Sequence, residues 1–85
     1  MKAIFIMVKC ALGQAYTVAD EAVLSVEQVS EVYSISGQYD LLMKCYLLDE
    51  TDIGRFVTER VQTLAGVKAT FTIIAFKAFS EDSSA

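Results

Sequence analysis

No histidine occurs in the 85 residues, so no imidazole is on hand to act as a base near neutral pH. Cysteine is scarce too: Cys10 and Cys45 stand alone, without the paired spacing that a structural zinc site needs. Both sit in apolar runs and read as small buried hydrophobes of a reducing compartment, with an inter-strand disulfide as the weaker alternative. Basic residues number seven against eleven acidic ones, giving a net charge of −4 and a pI near 4.5. They are scattered, which argues against a phosphate-neutralising surface and hence against direct DNA binding. Long hydrophobic runs are missing as well. Ala3–Val8 is closed off by Lys2 and Lys9, too short for a signal-peptide core and far too short for a membrane span. These absences lead to the expectation of a cytoplasmic protein with no cofactor and no metal.

What is present is hydrophobic patterning. Residues 2–10 are rich in β-branched and aromatic types and predict a strand, apolar on both faces: Ile4, Ile6, Val8 and Cys10 against Ala3, Phe5 and Met7. Ala15 to Ser25 carries an amphipathic helical stripe after a break at Gly13. Val29–Ile35 and Leu41–Leu48 predict two strands joined by Ser36-Gly-Gln-Tyr-Asp40, a hairpin in which Gly37 supplies a positive φ. Asp49-Glu-Thr-Asp52 opens a second helix, with Asp49 or Thr51 as its cap. Its stripe is Ile53, Phe56, Val57, Val61 and Leu64, and Gly66 stops it. A last strand is expected over Lys68 to Phe79, ahead of a polar tail at 81–85.

The order β-α-β-β-α-β is that of a ferredoxin-like α+β sandwich, a single domain over 1–80. Right-handed crossovers place both helices on one face of a four-stranded antiparallel sheet. Nothing then covers the other face, which carries Phe5 and Met7 or their alternates. Each such side chain left wet forgoes about 1.5–3 kcal/mol of burial. A chain this short buries only about 60% of its unfolded surface. A second copy placed sheet to sheet, a dimeric α+β barrel, is the economical solution.

Candidate chemistry is thin. Tyr39 with Asp40, or Tyr33 or Tyr46 in a dimer cavity, are conceivable acids or bases, but no spacing marks a nucleophile–base pair, so catalysis ranks below binding. The acidic run 49–52 lacks the alternation of a calcium loop and reads as a helix start. Gln38 and Asp40 are ordinary turn residues on local grounds, or else polar groups that meet a ligand. Thr70 and Thr72, with Lys68, share one face of the last strand, as plain strand formers or as convergent polar groups of a pocket.

Two stretches carry a family likeness. Val29-x-x-Val-Tyr-Ser-Ile-Ser-Gly-Gln-Tyr-Asp-Leu-Leu-Met-Lys44 resembles the V-x-x-x-Y-x-V-T-G-x-Y-D-L-L signature of the effector-binding domain of Lrp/AsnC (feast/famine) regulators. Leu64-Ala-Gly-Val-Lys-Ala-Thr-Phe-Thr-Ile-Ile74 is similar to that family's L-x-G-V-x-x-T-x-T-x-I-V stretch. The resemblance implies a domain of the RAM type that dimerises through its sheets and assembles into rings, a tetramer or pentamer of dimers. It implies small effectors, typically amino acids, bound near the Gly-x-Tyr-Asp turn, with Gly37, Gln38, Tyr39 and Asp40 lining the site and Thr70 and Thr72 contributing. Family regulators begin with a helix-turn-helix, whereas this chain starts at the first strand. The expectation is therefore a stand-alone effector domain without DNA binding of its own, in transcriptional or metabolic regulation. The alternatives are a small dimeric barrel enzyme and an adaptor forming mixed assemblies with a full-length Lrp/AsnC regulator. On this view Gly37→Val disturbs both hairpin and response, and Asp40→Ala mainly the response.

Overall fold

The computed structural model describes residues 1–81; the expected tail at 81–85 lies, beyond Glu81, outside the described residues. The elements are β1 (Lys2–Cys10), α1 (Ala15–Ser25), β2 (Val29–Ser34), β3 (Leu41–Leu47), α2 (Ile53–Phe56) continued by a π-helix (Val57–Val61), and β4 (Val67–Ile74). All strand pairings are antiparallel and the sheet order is β2-β3-β1-β4, the ferredoxin-like arrangement.

Register decides the faces. Ile6 stands between Met43 and Thr72, and Met7 between Leu42 and Phe71, so alternate residues divide between two sides. On one side Ile4, Ile6, Val8 and Cys10 join Leu41, Met43, Cys45 and Leu47. The helical layer adds Val18, Ala22, Phe56, Val57 and Val61 to this core, so both helical segments lie on that face. Among the described residues the core contains no buried polar or charged residue. Both cysteines are free and buried, which removes the disulfide alternative.

The opposite face holds Phe5 and Met7 of β1, Leu42, Lys44 and Tyr46 of β3, Glu31 and Tyr33 of β2, and Phe71 and Ile73 of β4. No element of the described chain covers it, and Phe71 is 53% exposed.

Three local expectations change. The second helix is capped by Asp52, whose side chain accepts from the Arg55 amide at 3.1 Å, and not by Asp49 or Thr51. The carbonyls of Asp49 and Thr51 instead receive the Lys2 ammonium at 3.0 and 2.7 Å. The same helix widens after one turn, where the Gln62 amide donates to the Val57 carbonyl at 2.8 Å, five residues back. The wider turn keeps Phe56, Val57 and Val61 on the core although Phe56 and Val61 are five positions apart. Finally, β4 ends at Ile74 and not Phe79. Its sheet neighbour β1 runs out: Ile74 pairs with Ile4, and one further bond joins the Ala75 amide to the Ala3 carbonyl at 3.2 Å.

Candidate functional site

The hairpin connection 36–40 folds over the end of β1. Gly37 has φ +111°, a conformation that L side chains rarely adopt. The loop closes when the Ile35 amide donates to the Asp40 carbonyl at 3.0 Å. The Asp40 amide then donates to the Val8 carbonyl at 2.9 Å, and its Oδ2 accepts from the Cys10 amide at 2.8 Å. Lys9 Nζ reaches the Gln38 carbonyl at 3.2 Å. Tyr39 leans the other way, its ring 6.2 Å from that of Phe71.

On the other side of β1 the ladder with β4 is irregular. Lys9 faces Ala69 but Cys10 faces Val67, so Lys68 is an extra residue in the bulge. The bulge, the turn and the β1–α1 loop enclose a cleft of about 410 Å³. Cys10, Ala11, Leu12, Ala15 and Tyr16 give it an apolar lining, and Lys9, Lys68 and Asp40 give it charge of both signs. That volume suits a small molecule. The Cys10 thiol is pushed up by burial and then by the nearby Asp40 charge, so it stays protonated and lends the wall no nucleophile.

Of the residues expected to line a site, Asp40 borders this cleft and Gly37, Gln38 and Tyr39 build the turn that carries it. Thr70 and Thr72 lie elsewhere, on the helix side of β4 opposite Val8 and Ile6. There Thr70 Oγ1 accepts from Gln62 Nε2 at 2.9 Å. Sequence reasoning passed over Lys9, Leu12 and Tyr16 and placed Lys68 beside Thr70. Gly13, with φ +74°, marked the loop that brings Leu12 and Tyr16 to the cleft. Nothing in the residue types marked the bulge that redirects Lys68.

The sheet order, the open apolar face and the Gly-x-Tyr-Asp turn define a ferredoxin-like ligand-binding domain. The chain belongs to the Lrp/AsnC family: the Lrp/AsnC ligand binding domain matches residues 3–85. Among curated relatives, homocitrate synthase of Sulfolobus acidocaldarius is 35% identical over 72 residues, covering 85% of this chain and 15% of that protein. The HTH-type transcriptional regulator FL11 of Pyrococcus abyssi is 30% identical over 77 residues, covering 91% of this chain and 50% of the regulator. The chain thus spans half or less of the length of these relatives. A solved protein from Thermus thermophilus superposes with a TM-score of 0.81 at 32% identity, covering 94% of this chain and 99% of the other. A Neisseria meningitidis transcriptional regulator solved as a complex with L-Met shares the fold at a TM-score of 0.80 and 19% identity. That match covers 99% of this chain and 55% of the regulator.

Among the described residues no helix is long and apolar enough to cross a membrane.

Proposed function

We propose that this domain, spanning residues 1–80, is an effector sensor that takes a free α-amino acid into the cleft beside Asp40. The observation that carries this reading is the pairing of charges there. Lys9 and Lys68 offer cations to a carboxylate, Asp40 offers an anion to an ammonium, and Leu12, Ala15 and Tyr16 offer apolar surface to a side chain. Membership of the family supports it, and so does the L-Met bound by the Neisseria regulator. The ligand signal passes through assembly: the open sheet face pairs two copies, and dimers associate further into a ring of four or five. Gly37, Gln38 and Tyr39 hold the turn at the edge of the cleft. Thr70 bears on the site indirectly, through the Gln62 contact that seats the helical layer on β4, and Thr72 shares its face of that strand opposite Ile6.

In this reading the domain senses and assembles and performs no catalysis. Contact with DNA is made by a separate domain or by a full-length relative in a mixed assembly. The homocitrate synthase match favours a second output, control of an enzyme, through the same sensing step.

The test is a thermal-shift panel of the amino acids combined with light-scattering mass. A ligand at 100 times its Kd adds about 2.7 kcal/mol to the bound state. A rise in Tm with a subset of amino acids is expected, together with a mass of at least two chains. No shift with any amino acid at millimolar concentration overturns the sensing reading, and a monomer overturns the sheet pairing.

A further inference from the structure

The ladder between β1 and β4 changes register at one residue, and that residue is Lys68. In an unbroken register Lys68 would stand opposite Cys10 and point its ammonium into the helical layer, where an unpaired charge is costly. Instead Val67 faces Cys10 and packs against the core, and Lys68 lines the cleft of about 410 Å³. The chain before the bulge is tied down, because the Ala11 amide donates to the Gly66 carbonyl at 2.8 Å. Cys10 joins the two walls of the cleft: its strand pairing meets Val67, and its amide meets Asp40 Oδ2.

The charges of the cleft are not equally available. Lys9 Nζ already donates to the Gln38 carbonyl at 3.2 Å. Asp40 has given Oδ2 to the Cys10 amide and keeps Oδ1. Among the described residues Lys68 makes no side-chain hydrogen bond and no ion pair, not even with Asp40 across the same cleft. One ammonium and one carboxylate oxygen therefore stand uncommitted beside a lining of Ala11, Leu12, Ala15 and Tyr16. We infer that Lys68 recognises the α-carboxylate of the ligand, that Lys9 serves the turn, and that the ligand is a monocarboxylic α-amino acid with an uncharged side chain. This rests on the sensing reading above and divides the work of its two lysines. A zwitterion bridges the separated pair, its carboxylate on Lys68 and its ammonium on Asp40. A second carboxylate would find only Lys9, which would have to leave Gln38, and a second ammonium only the Asp40 oxygen already engaged. The side chain is left with apolar surface, of which Leu12 is 99% and Tyr16 73% exposed.

Calorimetric titration of the full chain with each of the common amino acids tests this. The tightest binder is then titrated again as its C-terminal amide and as its N-acetyl derivative. Both are expected to bind the parent at least about tenfold more weakly, each having lost one charged contact. Lys68 is exposed, so Lys68→Met is expected to keep the parental Tm when no ligand is present. It is expected to bind the amino acid at least about tenfold more weakly and to hold acid and amide alike, while still rejecting the N-acetyl form. Lys68→Arg is expected to restore the preference for the acid over the amide, and Lys9→Met to retain it. A Lys68→Met protein that prefers the acid as strongly as the parent does, or a Lys9→Met protein that loses the preference, overturns the assignment while the sensing reading stands. A tightest binder with a charged side chain overturns the ligand class. A parent that binds no amino acid at millimolar concentration overturns the sensing reading itself, and the assignment with it.

Discussion

Asp40 Oδ2 accepts the backbone hydrogen of Cys10 at 2.8 Å, a bond that staples the hairpin turn to the last residue of β1. The Asp40 amide donates to Val8 two residues earlier, so one residue grips the strand end through main chain and side chain together.

The first prediction separates these roles. Removing the acceptor leaves the part-buried Cys10 amide unpaired, at a cost of about 1–3 kcal/mol. Asp40→Ala is therefore expected to lower Tm by at least about 4 °C, since a domain of this size moves about 4–8 °C per kcal/mol. Asp40→Asn keeps an oxygen acceptor and is expected to retain most of that stability. Both variants lose the negative charge and are expected to lose the amino-acid thermal shift. The expectation that Asp40→Ala mainly affects the response is thus revised to include the fold. If the asparagine variant still responds like the parent, charge at Asp40 is not what holds the ligand.

The second prediction ranks two glycines. Gly66 has φ +94°, and a Cβ built there would stand 2.9 Å from Val18 Cγ2 and 3.2 Å from Gln14 Cβ. Gly37 has φ +111° but open space, with nothing within 4 Å. Gly37→Ala suffers backbone strain alone, of order 1–2 kcal/mol. Gly66→Ala adds to similar strain a clash with the buried Val18, in a core that is close-packed, for a total of about 2–4 kcal/mol. Urea midpoints are expected to fall in the order parent, Gly37→Ala, Gly66→Ala. Equal midpoints for the two variants would mean that α1 gives way at no cost.

The element order was legible because each element carries a distinct period. The bounds of α1 are those its stripe predicts, Ala15–Ser25, and the alternation in β1 separates core from open face correctly. What stayed hidden was decided between elements. The end of β4 depends on where β1 stops, and no residue from Ala75 to Phe79 encodes that limit. Lys68 leaves the alternation through a bulge formed with β1, while Thr70 and Thr72 keep the shared face their alternation gives them. Asp52 rather than Asp49 or Thr51 caps the second helix, and the loop just before it is bound by Lys2, 47 residues from Asp49, a contact no local pattern announces. The turn at 36–40 was visible as punctuation and through its family likeness. The cleft beside it was not, since Lys9, Leu12, Tyr16 and Lys68 meet only once the chain has folded.

The third prediction concerns alkaline pH. Cys45 is fully buried on the core face of β3, opposite Ile4, and burial pushes its thiol up from an ordinary 9.0 to about 11. Between those values the unfolded chain releases a proton that the folded chain holds. Stability from this group is therefore fully present below about pH 9 and is lost as pH rises toward about 11. Cys10 is shifted in the same direction, by burial first and by the Asp40 charge second. Urea midpoints of the parent are expected to fall steeply across this window. Cys45→Ala is less stable at neutral pH because it leaves a small cavity, but its decline is expected to be shallower than the parent's. The folded parent is also expected to react with a thiol reagent far more slowly than the urea-unfolded chain, because the thiolate is the reacting form. Parallel pH profiles for parent and variant would show that other groups govern alkaline unfolding and that Cys45 ionises near its ordinary value.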